Sequence, residues 1–241
     1  MISAHRMTQN IKQLVKEWVL DSKYELVLCG HSLGAGAAVL AALILRAEFP
    51  ELLGRIKVYA FAPPPVLDHD SAIAAASFVT TIVHNADLIP RCSLYNLSLV
   101  LGGIRGLHQK LVEKKLNPVG PKTMAAFFQH LSSGVEGEAL LTVQEWEEAV
   151  ESRAPRIRQP DHLFIPGRVL LVYSPWGTKK DSQKSIAEER KQDPDSPCYR
   201  CVETNGAASV LSVIEVDGPR LFTDHVSSSY FEAMGMEYNF G

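Results

Sequence analysis

Residues 24–36 read YELVLCGHSLGAG. The first six, YELVLC, are a short, mostly apolar run with the character of a buried strand. Residues 30–36 form a glycine-rich turn, and residues 37–47 are nearly all apolar, which predicts a buried helix. Within the turn, Gly30-His31-Ser32-Leu33-Gly34 fits G-x-S-x-G. A strand before that pattern and a helix after it are the setting of a nucleophile elbow. The turn is so tight that the residues flanking the serine need almost no side chain. Gly30 and Gly34 meet that need, and Ala35 and Gly36 let the helix lie close to the sheet. The elbow should push the Ser32 hydroxyl out at the C-terminal edge of the sheet. The Leu33 N–H, at the helix N-terminus, should point at a developing oxyanion. His31 is expected to turn its side chain away from that hydroxyl.

Upstream of the elbow, Met7, Ile11, Leu14, Val15, Trp18 and Val19 recur at helical spacing and predict one amphipathic helix over residues 7–20. Downstream, strands are expected at residues 56–62 (IKVYAFA), 78–83 (FVTTIV) and 169–173 (VLLVY), with a closing strand at 210–216 (VLSVIEV) and a last helix at 226–234. Residues 94–115 read as an interrupted helix. Residues 116–160 read as a Pro- and Gly-bearing insertion over the core, and residues 178–206 as a polar, solvated, mobile loop. The order of elements predicts an α/β protein with a mostly parallel sheet, in a single domain over residues 1–241.

A serine hydroxyl is a poor nucleophile at neutral pH and needs a base that an acid orients. In an elbow fold these follow in the order serine, acid, histidine. Of the eight histidines, His225 lies after the last expected strand and directly before the final helix, where a loop can fold back over the serine's sheet edge. Position therefore favours His225 over His69, His84, His108, His130 and His162. For the acid, Asp87 in HNADLIPR follows the strand at residues 78–83, and the C-terminal end of a strand is where such a carboxylate belongs. Asp68 and Asp70 lie in a proline-bounded loop and read as solvated. Asp224 adjoins His225, but adjacent side chains seldom face each other correctly, so it reads as a helix cap.

Composition narrows the function classes. In 241 residues, 24 Lys and Arg stand against 27 Asp and Glu, a net charge of -3, which argues against a general nucleic-acid binder. The apolar fraction of 46% is enough for a sizeable core. No apolar run reaches the roughly 18 residues of a membrane-spanning helix. The four cysteines do not make a disulfide framework in a chain of this length, and Cys198-x-x-Cys201 is a single pair without the second pair or histidines that zinc requires. Neither metal nor cofactor is expected. A reducing location, cytoplasmic or peripheral to a membrane on its cytosolic face, is the expectation.

GHSLGAGAA, VYAFAPPPVL, HNADLIPRCSL, LFIPGRVLLVYSP and LFTDHVSSSYFEAM, taken in that order, resemble the class 3 lipases, and within them the sn1-specific diacylglycerol lipases. The resemblance spans about residues 4 to 234. It implies a triad of Ser32, Asp87 and His225, in agreement with the choice made from position. It also implies hydrolysis of diacylglycerol to a monoacylglycerol and a fatty acid at a membrane or lipid-droplet surface, without a metal. The insertion at residues 116–160 corresponds to a segment that covers the active site in that family. The runner-up activities are those of a phospholipase A1 or a triacylglycerol lipase. A truncated, non-catalytic lipase fold that binds lipid is the alternative from a different class. One departure bears on that alternative: a single helix precedes the strand at residues 24–29, so the N-terminal strands of an α/β-hydrolase are not apparent. That strand is then expected to be an unpaired apolar edge, with no upstream loop to supply a second oxyanion donor. An incomplete, poorly soluble domain is the corresponding expectation.

Overall fold

The computed structural model describes residues 2–98, 162–174, 199–206, 211, 214 and 220–236. The chain opens on α1 (Ile2–Leu14), whose last turn widens into a π-helical segment at Val15–Leu20. Then follow β1 (Leu26–His31), α2 (Leu33–Glu48), β2 (Ile56–Phe61), α3 (His69–Ala74) and β3 (Val79–His84). The later elements are β4 (Arg168–Tyr173), β5 (Arg200–Asn205), α4 (Arg220–Thr223) and α5 (Ser227–Ala233). The sheet order is β1-β2-β3-β4-β5, with the first four strands parallel and β5 antiparallel to β4. This is the mostly parallel α/β sheet expected, with a strand–turn–helix elbow at β1–α2.

The four parallel strands lie within two residues of where the sequence predicts them. Of the closing strand expected at residues 210–216, only residues 211 and 214 are described, and neither is in a strand; the last described strand, β5, comes from Arg200–Asn205, the end of the segment read as a mobile loop. RCVETN escapes pattern reading because nearly every residue of β5 is exposed, so no face alternates apolar with polar. Backbone pairing with β4, from Arg168↔Asn205 to Tyr173↔Arg200, defines the strand instead. Residues 94–98 are helical. The rest of the helix expected there, the insertion at residues 116–160 and residues 178–198 lie outside the described residues.

The main core lies between α1, α2 and one face of β1 and β2. Ala35, Ala38, Val39, Ala42 and Leu45 of α2 pack on Ile56, Val58 and Ala60 of β2, with Val15 and Val19 beside them. Small residues set the spacing. On α1 the buried positions are Ala4 and Thr8, continued by Val15 and Val19, while Met7, Leu14 and Trp18 are exposed. The packing face is thus rotated from the one expected. Alanine and threonine let α1 approach the alanine-rich α2, and large residues fit less well in that seam. Arg55 fastens this layer, donating from its guanidinium to the carbonyls of Ser22 and Tyr24 (both 2.7 Å) and of Val19.

On the other face of the same strands Val27, Cys29 and Tyr59 are exposed, and among the described residues β1 pairs only with β2. At the far side, Gly167 leads into β4 with φ +79; a Cβ there would lie 2.4 Å from the Val79 carbonyl oxygen. Glycine alone lets this chain turn so close to β3. Thr81 Oγ1 donates to the Pro166 carbonyl at 2.6 Å and ties the same crossing from within.

Candidate active site

The C-terminal ends of β1, β2 and β3 each carry a non-glycine residue at positive φ: Ser32 at 58°, Ala62 at 50° and Asn85 at 43°. Such conformations cost about 1–3 kcal/mol each and persist only where the surroundings enforce them. At Ser32 (ψ −129) the enforcement is visible. Its N–H donates to the Phe61 carbonyl at 2.9 Å, and its own carbonyl accepts from Ala35 and Gly36, so one residue closes both the sheet edge and the first turn of α2. Gly30 allows the turn, because a Cβ there would sit 2.6 Å from Gly34 backbone atoms. Gly34 does not share that role. A Cβ at Gly34 meets nothing within 4 Å, so the expectation that both flanking glycines are sterically required holds only for Gly30. Gly36 is closely packed, with Pro64 and Val66 side-chain atoms 3.3 Å from the Cβ it lacks.

His225 lies in the turn between α4 and α5, with its N–H donating to the Phe222 carbonyl at 3.2 Å. Its imidazole faces both partners named from sequence. Nε2 lies 2.9 Å from Ser32 Oγ, and Nδ1 lies 3.0 and 3.1 Å from the two carboxylate oxygens of Asp87. With a carboxylate at Nδ1, the proton belongs on that nitrogen, which leaves Nε2 to accept from the Ser32 hydroxyl. The ring is partly open to solvent at 22% side-chain exposure, while the Asp87 side chain is fully buried.

A buried carboxylate must have its oxygens satisfied. Asp87 Oδ1 accepts from the Ile89 N–H at 2.9 Å, and Oδ2 accepts from the Tyr230 hydroxyl at 2.6 Å. Tyr230, on α5, is buried in turn, and its oxygen accepts from the His84 N–H at 3.1 Å. Burial first, and the Asp87 charge second, push the Tyr230 phenol well above its ordinary range, so it remains a donor to that carboxylate. Arg91, also buried, donates to the Asp87 carbonyl at 2.8 Å and to the Asn85 carbonyl at 2.9 Å, pinning the loop that presents the acid. Asn85 accepts from the Ser174 N–H at 2.7 Å and thereby links that loop to the end of β4.

The rival residues have other duties. Asp224 is buried and does not cap α5, whose N-cap is Val226. Asp224 Oδ2 accepts from the Ala86 N–H at 3.3 Å, beside Asp87. The cap reading failed because the chain turns at His225 before α5 begins, which leaves Asp224 facing the β3 loop. Asp68 is the N-cap of α3, accepting from Ser71 N–H at 3.0 Å, and Asp70 contacts His69. His84 is buried against Tyr230 and Tyr199, and His162 stacks on Phe164. His108 and His130 lie outside the described residues.

Leu33 is the first residue of α2, so its N–H belongs to the opening turn, whose donors have no acceptor within the helix. Its side chain is 78% exposed. The His31 side chain reaches the base. Its Nε2 lies 2.8 Å from the His225 carbonyl and its ring centroid is 4.8 Å from that of His225. Burial, and secondarily the adjacent His225, lower the pKa of His31 against the opposing pull of the carbonyl and Asp87. Among the described residues no cluster of three His, Cys, Asp or Glu could hold a metal, and no helix is long and apolar enough to cross a membrane.

The family model of class 3 lipases matches residues 1–97, which include the elbow and Asp87. Diacylglycerol lipase-beta of Mus musculus is 39% identical over 94 residues, 39% of this chain and 14% of that protein. Diacylglycerol lipase-alpha of Homo sapiens is 29% identical over 150 residues, 62% of this chain and again 14% of the relative. The secreted mono- and diacylglycerol lipase A of Penicillium cyclopium is 35% identical over 97 residues, 37% of this chain and 29% of that lipase. The chain thus spans a minor part of each lipase it matches. His225 lies beyond the matched class 3 lipase segment, and it is the fold that carries it back to Ser32.

Proposed function

We propose that this chain is a serine lipase that hydrolyses acyl ester bonds of acylglycerols, with diacylglycerol converted to a monoacylglycerol and a fatty acid. The observation that carries the reading is the continuous chain from Ser32 Oγ through the His225 imidazole to the buried Asp87 carboxylate. In this mechanism His225 Nε2 takes the proton as Ser32 Oγ attacks the ester carbonyl. The Leu33 N–H donates to the oxyanion. His225 then protonates the leaving alcohol, and water, activated by the same nitrogen, releases the fatty acid. Asp87 stabilises the imidazolium and fixes its tautomer.

Acylglycerol as substrate is supported by the names of the relatives, all lipases of mono- or diacylglycerols. Exposed apolar residues beside the nucleophile and the base (Leu33, Phe222 and Val226) support a reading in which the site works peripherally at a membrane or lipid-droplet surface. The test is a panel of diacylglycerol, triacylglycerol and phosphatidylcholine in mixed vesicles, with fatty-acid release measured and the Ser32→Ala variant as control. Release from diacylglycerol above the other two supports the proposal. Preferential release from phosphatidylcholine or triacylglycerol replaces it with the corresponding lipase, and no Ser32-dependent release from any lipid rejects it.

A further inference from the structure

The residue before the nucleophile holds the backbone of the base. We infer that His31 is a positioning residue, whose Nε2–H donates to the His225 carbonyl and so fixes the distance between Ser32 Oγ and His225 Nε2. The inference rests on the hydrolase reading above. His31 is the last residue of β1 and is paired with Phe61 of β2, so its main chain belongs to the rigid sheet. His225 belongs to a turn between a four-residue helix and a seven-residue helix. Its own backbone N–H makes only a long bond, 3.2 Å, to Phe222. The 2.8 Å contact from His31 to the His225 carbonyl therefore ties this turn to the sheet across 194 residues of sequence.

The ring of His31 adds a second restraint. It lies against the His225 ring at 4.8 Å between centroids, and meets the Tyr230 ring edge-on at 5.8 Å. Tyr230 itself donates to Asp87. One side chain thus touches both the base and the group that steadies the acid, while its own main chain leads directly into the serine. A shift of His31 would move the nucleophile and the base together, and loss of the side chain would let them move apart. Near-attack geometry is sensitive on the scale of an ångström, at about 10²-fold in rate, and the loss of one neutral hydrogen bond is commonly worth a few-fold to about 10-fold.

The test compares His31→Gln with His31→Asn. The glutamine amide nitrogen reaches about as far as Nε2, whereas the asparagine amide stops one bond short. Two readouts are needed, the rate of Ser32 labelling by a fluorophosphonate together with kcat and KM on a soluble short-chain ester, and the low-field proton resonance of the Asp87–His225 pair. Expected is a ~10- to 100-fold loss in labelling rate and kcat for His31→Asn at unchanged KM, with broadening of that resonance by exchange. His31→Gln should stay within about threefold of the parent and keep the resonance sharp. Equal behaviour of the two variants in both readouts, whether intact or impaired, overturns the positioning role. A parent protein that fails to label at all rejects the hydrolase reading; the resonance still reports on His31 in that case.

Discussion

The β1–α2 elbow takes its geometry from seven consecutive residues, 30–36, and one backbone bond to Phe61, while the cradle around Asp87 and His225 is assembled from groups up to 143 residues apart. In the elbow, strain is local and is relieved locally: Gly30 makes room and two backbone bonds to the Ser32 carbonyl hold the turn. In the cradle no single contact is unusual. Tyr230, Ile89 and Asp224 each add one hydrogen bond and Arg91 adds two, and together they hold a buried carboxylate and the loop that carries it. Damage should therefore spread differently. A change in the elbow should act on fold or chemistry at a single point, whereas a change in the cradle should degrade rate in proportion to the bond removed.

Removing the nucleophile or the base is the severest test. Ser32→Ala and His225→Ala should each lower turnover by about 10⁶, and the double variant should be no worse, because members of such a unit are not additive. If His225→Ala is active while His84→Ala is not, the cradle serves a different base. Asp87→Asn comes next. It should fold and yet lose about 10⁴ in turnover, since an amide favours the wrong imidazole tautomer. Tyr230→Phe deletes one donor to the same carboxylate, and its loss in kcat should be about 10-fold. An effect as large as that of Asp87→Asn would make the cradle a single cooperative unit like the elbow.

The two glycines beside the serine sharpen the contrast on the elbow's side. Gly30→Ala drives a Cβ into the Gly34 backbone and should destabilise the fold by about 1–3 kcal/mol in denaturant unfolding. Gly34→Ala meets open space on a helix and should stabilise it by about 0.5–1 kcal/mol. Equal destabilisation would restore the expectation that the turn needs both glycines.

The same division governs what could be read from sequence. The elbow, the strand that feeds it and the buried helix behind it were legible because apolar runs and a glycine turn are local signals. Asp87 and His225 were legible from chain order and position at strand ends. Tyr230 was not, since a tyrosine five residues after a histidine carries no sign that its hydroxyl will reach an aspartate 143 residues earlier. The partner of His31 is not legible for the same reason: the elbow motif says where Ser32 points, but the carbonyl that His31 meets belongs to a distant turn. An aspartate before a helix is usually its cap, and nothing local to Asp224 signals that it accepts from Ala86 instead. β5 was missed because an exposed edge strand need not alternate, and the packing face of α1 was rotated because small residues, not large ones, fill its seam with α2.

The central claim is that Ser32 is activated by His225 through the Asp87 pair, and the direct measurement is the rate of fluorophosphonate labelling in the parent and in Asp87→Asn at neutral pH. The parent should label at Ser32 alone, and Asp87→Asn should label about 10³- to 10⁴-fold more slowly while unfolding at the same denaturant concentration. Equal labelling rates in the two proteins would contradict the claim, as would labelling that persists in Ser32→Ala.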